Sequence, residues 1–223
     1  MRNSYKNNII ILISLLISVL LLDGCISNQS STGSETSYGF RKDLPPGYAF
    51  GKVEPYQGKD RVESNLISQI NTYNSALLMG DIDNAKLYLY PDAIKYYKKF
   101  YPSNLSLDDI ANNLFKEISE AAIELEKAWQ KYGVDVDILV SGIERKIELG
   151  DTKIFVFSFT TLFYMENAEE EKYFHSTTEN DDLTVGISFN GGRNWYFIAL
   201  NDETPNILRL RLAQSVVNEV MGY

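Results

Sequence analysis

The feature that most constrains the fold of this 223-residue chain is a change of hydrophobic period at Gly133. Before it, apolar residues recur every three or four positions, which predicts amphipathic helices. After it, apolar and polar residues alternate between turn residues, which predicts strands. This order indicates an α+β fold, with N-terminal helices and a C-terminal helix covering one face of a curved antiparallel sheet of four to five strands.

Four helices are expected in the first part of the domain. The first runs over 61–79 and the last, which is the longest, over 107–132. Two short helices are expected between them, one after Asp81 and one beginning at Pro91, because proline is well tolerated in the first turn of a helix. The spacing of the apolar residues gives each helix one buried side.

Five strands are expected after this helical region, at 134–149, 154–165, 172–178, 183–189 and 195–200. Turn residues separate them, and Asn190-Gly191-Gly192 predicts a tight hairpin before the last strand. A single closing helix is expected after that, with Thr204 as its N-cap.

The N-terminus has the pattern of an export leader. A short basic head precedes an apolar run over 9–22, which has the length of a secretory signal and is too short to cross a bilayer. The motif LDGC at 22–25 resembles the lipobox of bacterial lipoproteins, although Asp23 departs from the small residue usual there. The resemblance implies a signal peptide over 1–24 and lipidation of Cys25, with acyl chains such as palmitate.

The domain organisation follows from this leader. Residues 25–58 are expected to be the lipidated cysteine, a flexible polar tether and an extended segment, and 59–223 a single domain. Acyl chains on Cys25 would make the lipid bilayer a partner. We expect the outer membrane, on its periplasmic side, because no acidic cluster follows the cysteine. There are two alternatives to a lipoprotein signal: an ordinary secretory signal with a chance cysteine, and an uncleaved membrane anchor.

The composition excludes several classes of function. A formal net charge of -9 disfavours nucleic acid as a partner and broad adsorption to anionic headgroups. With one histidine and one cysteine, the chain offers no zinc site. It also has no glycine-rich phosphate loop, so no cofactor is expected.

Two sequence segments and the order of elements carry a family resemblance. With ALLMGD at 76–81 and YPDA at 90–93, the chain resembles the nuclear transport factor 2-like superfamily, whose cone-shaped domains include polyketide cyclases and ketosteroid isomerase. The segment 186–198 is similar to the last hairpin of lipoproteins of this kind from Bacteroidota. The resemblance implies a sheet curled around a pocket. No residue matches the catalytic motif of the superfamily by position, so no catalytic role is carried over.

Aromatic residues and the one histidine are the candidates for lining such a pocket: Tyr73, Tyr97, Phe157, Phe159, His175 and Trp195. Aromatic rings suit a small apolar ligand, but they equally suit the core of a small domain. His175 is either a general base in the pocket or an ordinary strand histidine.

Three functions stay open at this point. The first is a noncatalytic, membrane-tethered module that binds a small apolar ligand or an envelope protein. The second is a pocket enzyme of the isomerase, dehydratase or cyclase type, using His175 or a buried carboxylate with tyrosines. The third is a structural accessory in envelope assembly. The lack of a catalytic motif favours the first.

Overall fold

The computed structural model describes residues 48–50, 55–132, 134–165, 173–176 and 183–223. The leader, Cys25 and the tether lie outside these ranges, as do two of the expected turns. The signal peptide, the lipidation and the boundary between tether and domain therefore stay predictions. Within the described ranges, no helix combines the length and apolar character needed to span a membrane.

The four predicted helices between residues 61 and 132 are confirmed: α1 Arg61–Leu78, α2 Ile82–Lys86, α3 Pro91–Tyr97 and α4 Leu107–Tyr132. A 3-10 helix, Lys98–Phe100, follows α3 directly. Each helix is short or amphipathic, so its stability depends on packing one side against the rest of the domain.

Local capping explains where these helices begin. The side chains of Asp60 and Asp81 accept hydrogen bonds from the first turns of α1 and α2. At α4, the Asp109 N–H donates to Ser106 Oγ, and the Ser106 N–H and hydroxyl donate to the Asp109 carboxylate. This reciprocal pattern is a capping box. Gly80, with φ of 67°, reverses the chain after α1.

The described part of the chain forms one antiparallel sheet of six strands, so the prediction of four to five was too low: β1 Tyr48–Phe50, β2 Val134–Leu149, β3 Thr152–Met165, β4 Tyr173–Ser176, β5 Thr184–Ser188 and β6 Tyr196–Ala199. The additional strand is β1, which pairs with β4. The sequence predicted an extended segment there but not its pairing with β4. Pairing at a sheet edge gives hydrogen-bond partners to the backbone N–H and C=O groups of an extended chain.

β3 is the central strand of this sheet. It pairs with β2 along its length, and on its other side with β5 near its start and β4 near its end. β6 pairs with β5. The chain between α2 and α3 runs beside β6, where the Phe197 N–H donates to the Tyr88 carbonyl at 2.6 Å. This contact covers part of the β6 edge.

Irregular pairing curves the sheet. The register of β2 against β3 shifts between Val140 and Gly142 and again between Ile143 and Arg145. Shifts of this kind bend a strand and increase its local twist. β2 therefore follows a curved path along β3.

Helices cover both faces of the sheet, which corrects the expectation of one covered face. Along β3, Ile154 and Val156 belong to one buried cluster, while Phe155 and Phe157 belong to another. Successive side chains of a strand point to opposite faces, so the two clusters lie on opposite sides of the sheet. A strand that is apolar on both sides needs cover on both sides.

We call the two sides the aliphatic face and the aromatic face. The buried cluster of the aliphatic face consists of Tyr90, Ala93, Tyr97, Ile110, Ile147, Ile154, Val156, Val185, Ile187, Ile198, Ile207, Leu208, Val217 and Val220. The buried cluster of the aromatic face consists of Leu66, Ile70, Val140, Phe155, Phe157, Trp195 and Phe197. α1 supplies the helical cover of the aromatic face through Leu66 and Ile70.

The closing segment is two helices rather than the one predicted: α5 Thr204–Leu208 and α6 Gln214–Met221. Ala213 between them has an extended backbone, with φ of -66° and ψ of 150°. The connection is fixed by Arg211, whose Nε lies 2.7 Å from the Asp92 carboxylate of α3. This ion pair holds the segment in a path that one continuous helix would not follow.

Two smaller expectations also differ. The N-cap of α5 is Glu203, and Thr204 is the first helical residue. The connection from β5 to β6 is not a tight hairpin, since β5 ends at Ser188 and β6 begins at Tyr196. The loop is longer because the buried Ser188 hydroxyl accepts a hydrogen bond from the Gly192 N–H at 2.9 Å, which folds the loop onto itself.

Candidate functional site

Four of the six predicted pocket residues lie on the aromatic face. Phe157 and Trp195 are part of its buried cluster, and Tyr73 and Phe159 pack against that cluster. The Trp195 indole donates to the Gly192 carbonyl at 3.1 Å, so this ring is a satisfied part of the core.

The other two predicted pocket residues lie elsewhere. Tyr97 belongs to the aliphatic face, and its hydroxyl donates to Glu203 Oε2 at 2.5 Å. His175 lies in β4, where it pairs with Leu162 of β3, and its side chain is outside the described part of the structure. A role of His175 as a general base therefore stays a prediction, as does the lining of one pocket by all six residues.

Five rings on the aromatic face form a continuous series of contacts, which we call the aromatic cluster. The ring centroids of Tyr73 and Phe197 are 5.6 Å apart, those of Phe197 and Phe157 6.1 Å, and those of Phe157 and Phe159 5.3 Å. Tyr88 completes the cluster, 6.3 Å from both Tyr73 and Phe197. Phe157 meets two of its neighbours nearly edge to face, a favoured aromatic geometry.

The aromatic cluster has two buried rings and three partly exposed ones, and we call the exposed part its open border. Phe157 and Phe197 are fully buried, whereas Tyr73, Tyr88 and Phe159 are half-buried. Half-buried rings expose apolar surface together with, for tyrosine, a hydroxyl. The border is therefore the part of this face that another molecule can contact.

Asn74 follows Tyr73 of the aromatic cluster in α1 and has no hydrogen-bond partner for its buried amide nitrogen. Only 6% of the residue is exposed, and Nδ2 is unpaired in the part of the chain that the structure describes. Asn74 follows Leu66 and Ile70 at helical spacing on α1, so it shares the side that packs on the aromatic face. Leaving such a group unpaired costs about 1–3 kcal/mol, so it requires an explanation.

Two other buried polar atoms among the described residues lack a hydrogen bond, and their settings differ from that of Asn74. Tyr90 Oη lies near the Asp92 carboxylate, and burial together with that carboxylate raises the pKa of Tyr90. Arg145 is unpaired at Nε but has further guanidinium nitrogens, and the residue is half-buried.

Glu63 begins the same buried side of α1 and is fully satisfied. Its carboxylate accepts hydrogen bonds from the Tyr56 hydroxyl and the Lys59 N–H, both at 2.7 Å, and from the Lys146 ammonium. Burial alone would raise the pKa of Glu63, but these bonds, chiefly the one from Lys146, lower it to about 2. In return, burial and the Glu63 carboxylate raise the pKa of Tyr56 to about 12.

Asp92 is the corresponding carboxylate near the aliphatic face. It is buried and forms ion pairs with Lys95 at 2.9 Å and Arg211 at 2.7 Å. Burial opposes the shift, but the hydrogen bonds from these two cations lower the pKa of Asp92. Asp92 and Glu63 are therefore both ionised at neutral pH and poorly suited to accept a proton there.

The described residues contain no group of three or more histidine, cysteine, aspartate or glutamate side chains placed to hold a metal ion. Among the described residues, the aromatic face presents apolar rings, the hydroxyls of Tyr73 and Tyr88, and the Asn74 amide. Such a surface can bind and orient a ligand.

Sequence reasoning missed the polar members of this face. The spacing of apolar residues alone predicts Val62, Tyr73 and Leu77 on the packed side of α1, yet Glu63 and Asn74 are buried more completely. A signal was present, because both polar residues fall at helical spacing from Leu66 and Ile70. Ranking positions by hydrophobicity alone removes such residues from a predicted core.

Comparisons with known proteins show no family. No family model matches the chain, and no curated protein matches it. Among solved structures, the chain is similar to an NTF2-like protein of unknown function from Burkholderia pseudomallei K96243, at 15% sequence identity and a TM-score of 0.23, over 67% of this chain and 99% of that one. What the structure establishes is the α+β arrangement itself.

Proposed function

We propose that this protein is a lipoprotein of the bacterial cell envelope whose folded part is a noncatalytic module that binds a small, largely apolar ligand. Cys25 in the lipobox-like motif carries the acyl chains that tether it, and the outer membrane, on the periplasmic side, is its location. The aromatic cluster and Asn74 form the ligand-binding surface.

The observation that supports ligand binding is the unpaired Asn74 amide of α1, on the helix side that packs on the aromatic face. A buried amide without a partner destabilises the free protein. A ligand with a carbonyl or hydroxyl oxygen would accept a hydrogen bond from Nδ2 and remove that cost. Binding sites commonly combine apolar walls with one or a few such orienting polar groups.

The border rings indicate the shape of this ligand. Tyr73, Tyr88 and Phe159 offer ring faces and edges rather than charges, so a cyclic or planar apolar body fits them. The nearest buried charge on this face, Glu63, is already neutralised by Lys146. An ionic ligand would therefore find no free counter-charge in the described part of this face.

The tertiary arrangement proposed for the module is the nuclear transport factor 2-like cone. Two features support it: the order of helices, antiparallel strands and closing helices, and the register shifts that curve β2 along β3. In such a cone, the concave side of the sheet and the helix packed on it enclose the ligand. The aromatic face with α1 is the side that we assign to this role.

The absence of catalysis is proposed from the state of the buried carboxylates. Glu63 and Asp92 are each held in ion pairs, and ordinary acid–base catalysis at neutral pH needs a group with a pKa near 7. An isomerase, dehydratase or cyclase would need another group, and His175 is the residue to test. His175→Gln leaves ligand retention unchanged under the noncatalytic proposal.

Native mass spectrometry of the full chain, purified from membranes of its own host, tests ligand binding. We expect a retained small molecule on the wild-type protein and its loss from Asn74→Leu, which removes the amide. Asn71→Leu is the matched control, because Asn71 is exposed on the same helix. Retention by Asn74→Leu, or repeated absence of any ligand from the wild type, would refute the proposal.

The tether needs its own experiment. Cells fed an alkyne-bearing fatty acid should incorporate it into the wild-type protein and not into Cys25→Ser, and the labelled protein should fractionate with the outer membrane. An unlabelled wild-type protein, or one that retains its leader, would overturn the anchor without affecting the proposal for the ligand.

A further inference from the structure

We propose that the 3-10 helix after α3 is a second membrane contact, which docks on a bilayer surface that carries anionic headgroups. We call Lys98, Lys99 and Phe100 the basic corner. The inference rests on the proposed tether only in that the tether brings the domain close to a bilayer. It goes beyond ligand binding, because it gives the tethered domain a fixed orientation.

Phe100 is presented to solvent in a fixed position. It is 62% exposed, although its ring contacts Tyr96 and Tyr97 at centroid distances of 5.6 and 6.5 Å. Tyr97 is buried and bound through its hydroxyl to Glu203. An aromatic ring that is held at the surface loses little conformational freedom when it enters an apolar layer.

The two lysines of the basic corner are free of acidic partners. Neither Lys98 nor Lys99 has a carboxylate within ion-pair distance in the described ranges, and Lys99 Nζ lies 5.0 Å from the centre of the Tyr96 ring. Six other described lysines do form ion pairs: Lys86, Lys95, Lys116, Lys127, Lys146 and Lys153. The basic corner is thus a local excess of positive charge on a chain with a net charge of -9.

The acidic groups on α3 and just before α5 are partly engaged. Glu203 accepts the Tyr97 hydroxyl, and Asp92 is paired with Lys95 and Arg211. Asp202 is exposed beside Glu203. These carboxylates reduce the positive field on that side, so we expect Lys98 and Lys99 to supply most of the attraction.

An anionic bilayer matches this chemistry better than other partners do. The headgroups attract the unpaired lysines, while the apolar layer below accepts the Phe100 ring, the combination used by proteins that lie at membrane interfaces. The remaining surface of an acidic protein is repelled by the same headgroups, which favours one orientation. The 22 residues between Cys25 and β1 can reach roughly 70 Å when fully extended, so the corner can meet the bilayer that holds the anchor.

Depth-dependent fluorescence on the full chain tests this docking. In the Phe100→Cys variant, an environment-sensitive fluorophore is attached to the new thiol. The acylated Cys25 has no free thiol and cannot react with the fluorophore. The protein is reconstituted into vesicles of phosphatidylglycerol and phosphatidylcholine, or of phosphatidylcholine alone, with spin-labelled lipid as the quencher. Ser215→Cys, at an exposed position of α6, is the control for the label.

We expect strong quenching at position 100 in anionic vesicles, little at position 215, and little at either position in phosphatidylcholine alone. Lys98→Gln with Lys99→Gln should lower the ratio of docked to undocked protein by about tenfold or more, since each surface cation contributes to binding. Equal quenching at both positions, quenching that is independent of anionic lipid, or no quenching at position 100 overturns the proposal.

Flotation of the vesicles separates docking from anchoring. Protein that floats but is not quenched at position 100 is anchored without docking, and this result refutes only the basic corner. Protein that floats only with the anionic vesicles, and is quenched at position 100, supports the basic corner. The same result refutes the acyl anchor, because acyl chains would also hold the protein on phosphatidylcholine vesicles. A photocrosslinker at position 100 that captures an envelope protein in cells, in preference to lipid, also overturns the bilayer as the partner.

Discussion

The two faces of the sheet use different side chains and leave different amounts of surface open. The aliphatic face buries mainly isoleucine, leucine and valine beneath α3, α5 and α6. The aromatic face has a smaller buried cluster rich in phenylalanine and tryptophan, bordered by half-buried rings and the unpaired Asn74 amide. This difference is expected if the first face only stabilises the domain, while the second, as proposed, also binds a ligand.

Each face also has its own buried carboxylate, which connects different elements. Asp92 joins α3 to the connection between α5 and α6, and so ties together the helices on the aliphatic side. Glu63 joins α1 to β2 through Lys146 and to the preceding segment through Tyr56. Glu63 therefore fixes the helix that carries Asn74 in its position over the aromatic face.

The largest expected effect comes from breaking the Glu63 ion pair. Lys146→Met should lower the free energy of unfolding by about 4 kcal/mol, because it leaves a buried carboxylate without its cation. The fall is measured from urea unfolding curves. Lys153→Met, which breaks an ion pair with the exposed Glu148, is the control and should cost less than about 1 kcal/mol.

Truncations on the two faces test the comparison directly. Ile187→Ala, at a fully buried position of the aliphatic face, should cost about 3 kcal/mol of unfolding free energy and leave ligand binding unchanged. Phe159→Ala, at the half-buried border, should cost about half as much and abolish ligand retention. If Ile187→Ala abolished retention and Phe159→Ala did not, the assignment of the two faces would be reversed.

Acid titration sharpens the role of Glu63. The pKa of Glu63 falls from an ordinary 4.5 to about 2 on folding, so its stabilising contribution is complete above about pH 4.5 and is lost as the pH falls towards 2. By linkage this loss is about 3 kcal/mol. Glu63→Gln should remove that part of the pH dependence of unfolding. An unchanged pH profile in the variant would show that other carboxylates govern acid unfolding.

The smallest effect has the opposite sign. Asn74→Leu replaces a buried, unpaired amide with an apolar side chain of similar size, so the unfolding free energy of the unliganded protein should rise by about 1 kcal/mol. Asn71→Leu, at an exposed position on the same helix, should change it by less than about half of that. A loss of stability in Asn74→Leu would mean that the amide has a partner in solution.

The helical half of the fold is predictable because its signals are local. Asp60, Asp81 and Ser106 cap the helices that the apolar spacing predicts. Even here the spacing overstates burial, since it places Leu107 on the apolar side of α4, where the residue is 44% exposed.

The cover on both faces, the pairing of β1 and the candidate site depend on contacts between distant segments. The alternation in β3 shows two apolar sides, but not which helix packs on each of them. Asn74 and Glu63 are polar, so a hydrophobic pattern omits them, although their spacing places them on the buried side of α1. Which face of the sheet they meet follows only from where α1 packs.

A crystal structure of the protein purified from its own host, without added ligand, tests the central claim most directly. The account predicts density for a small molecule against Tyr73 and Phe159, with an acceptor oxygen at about 3 Å from Asn74 Nδ2. A single ordered water or a protein group at that nitrogen, with no other molecule on the aromatic cluster, would contradict it.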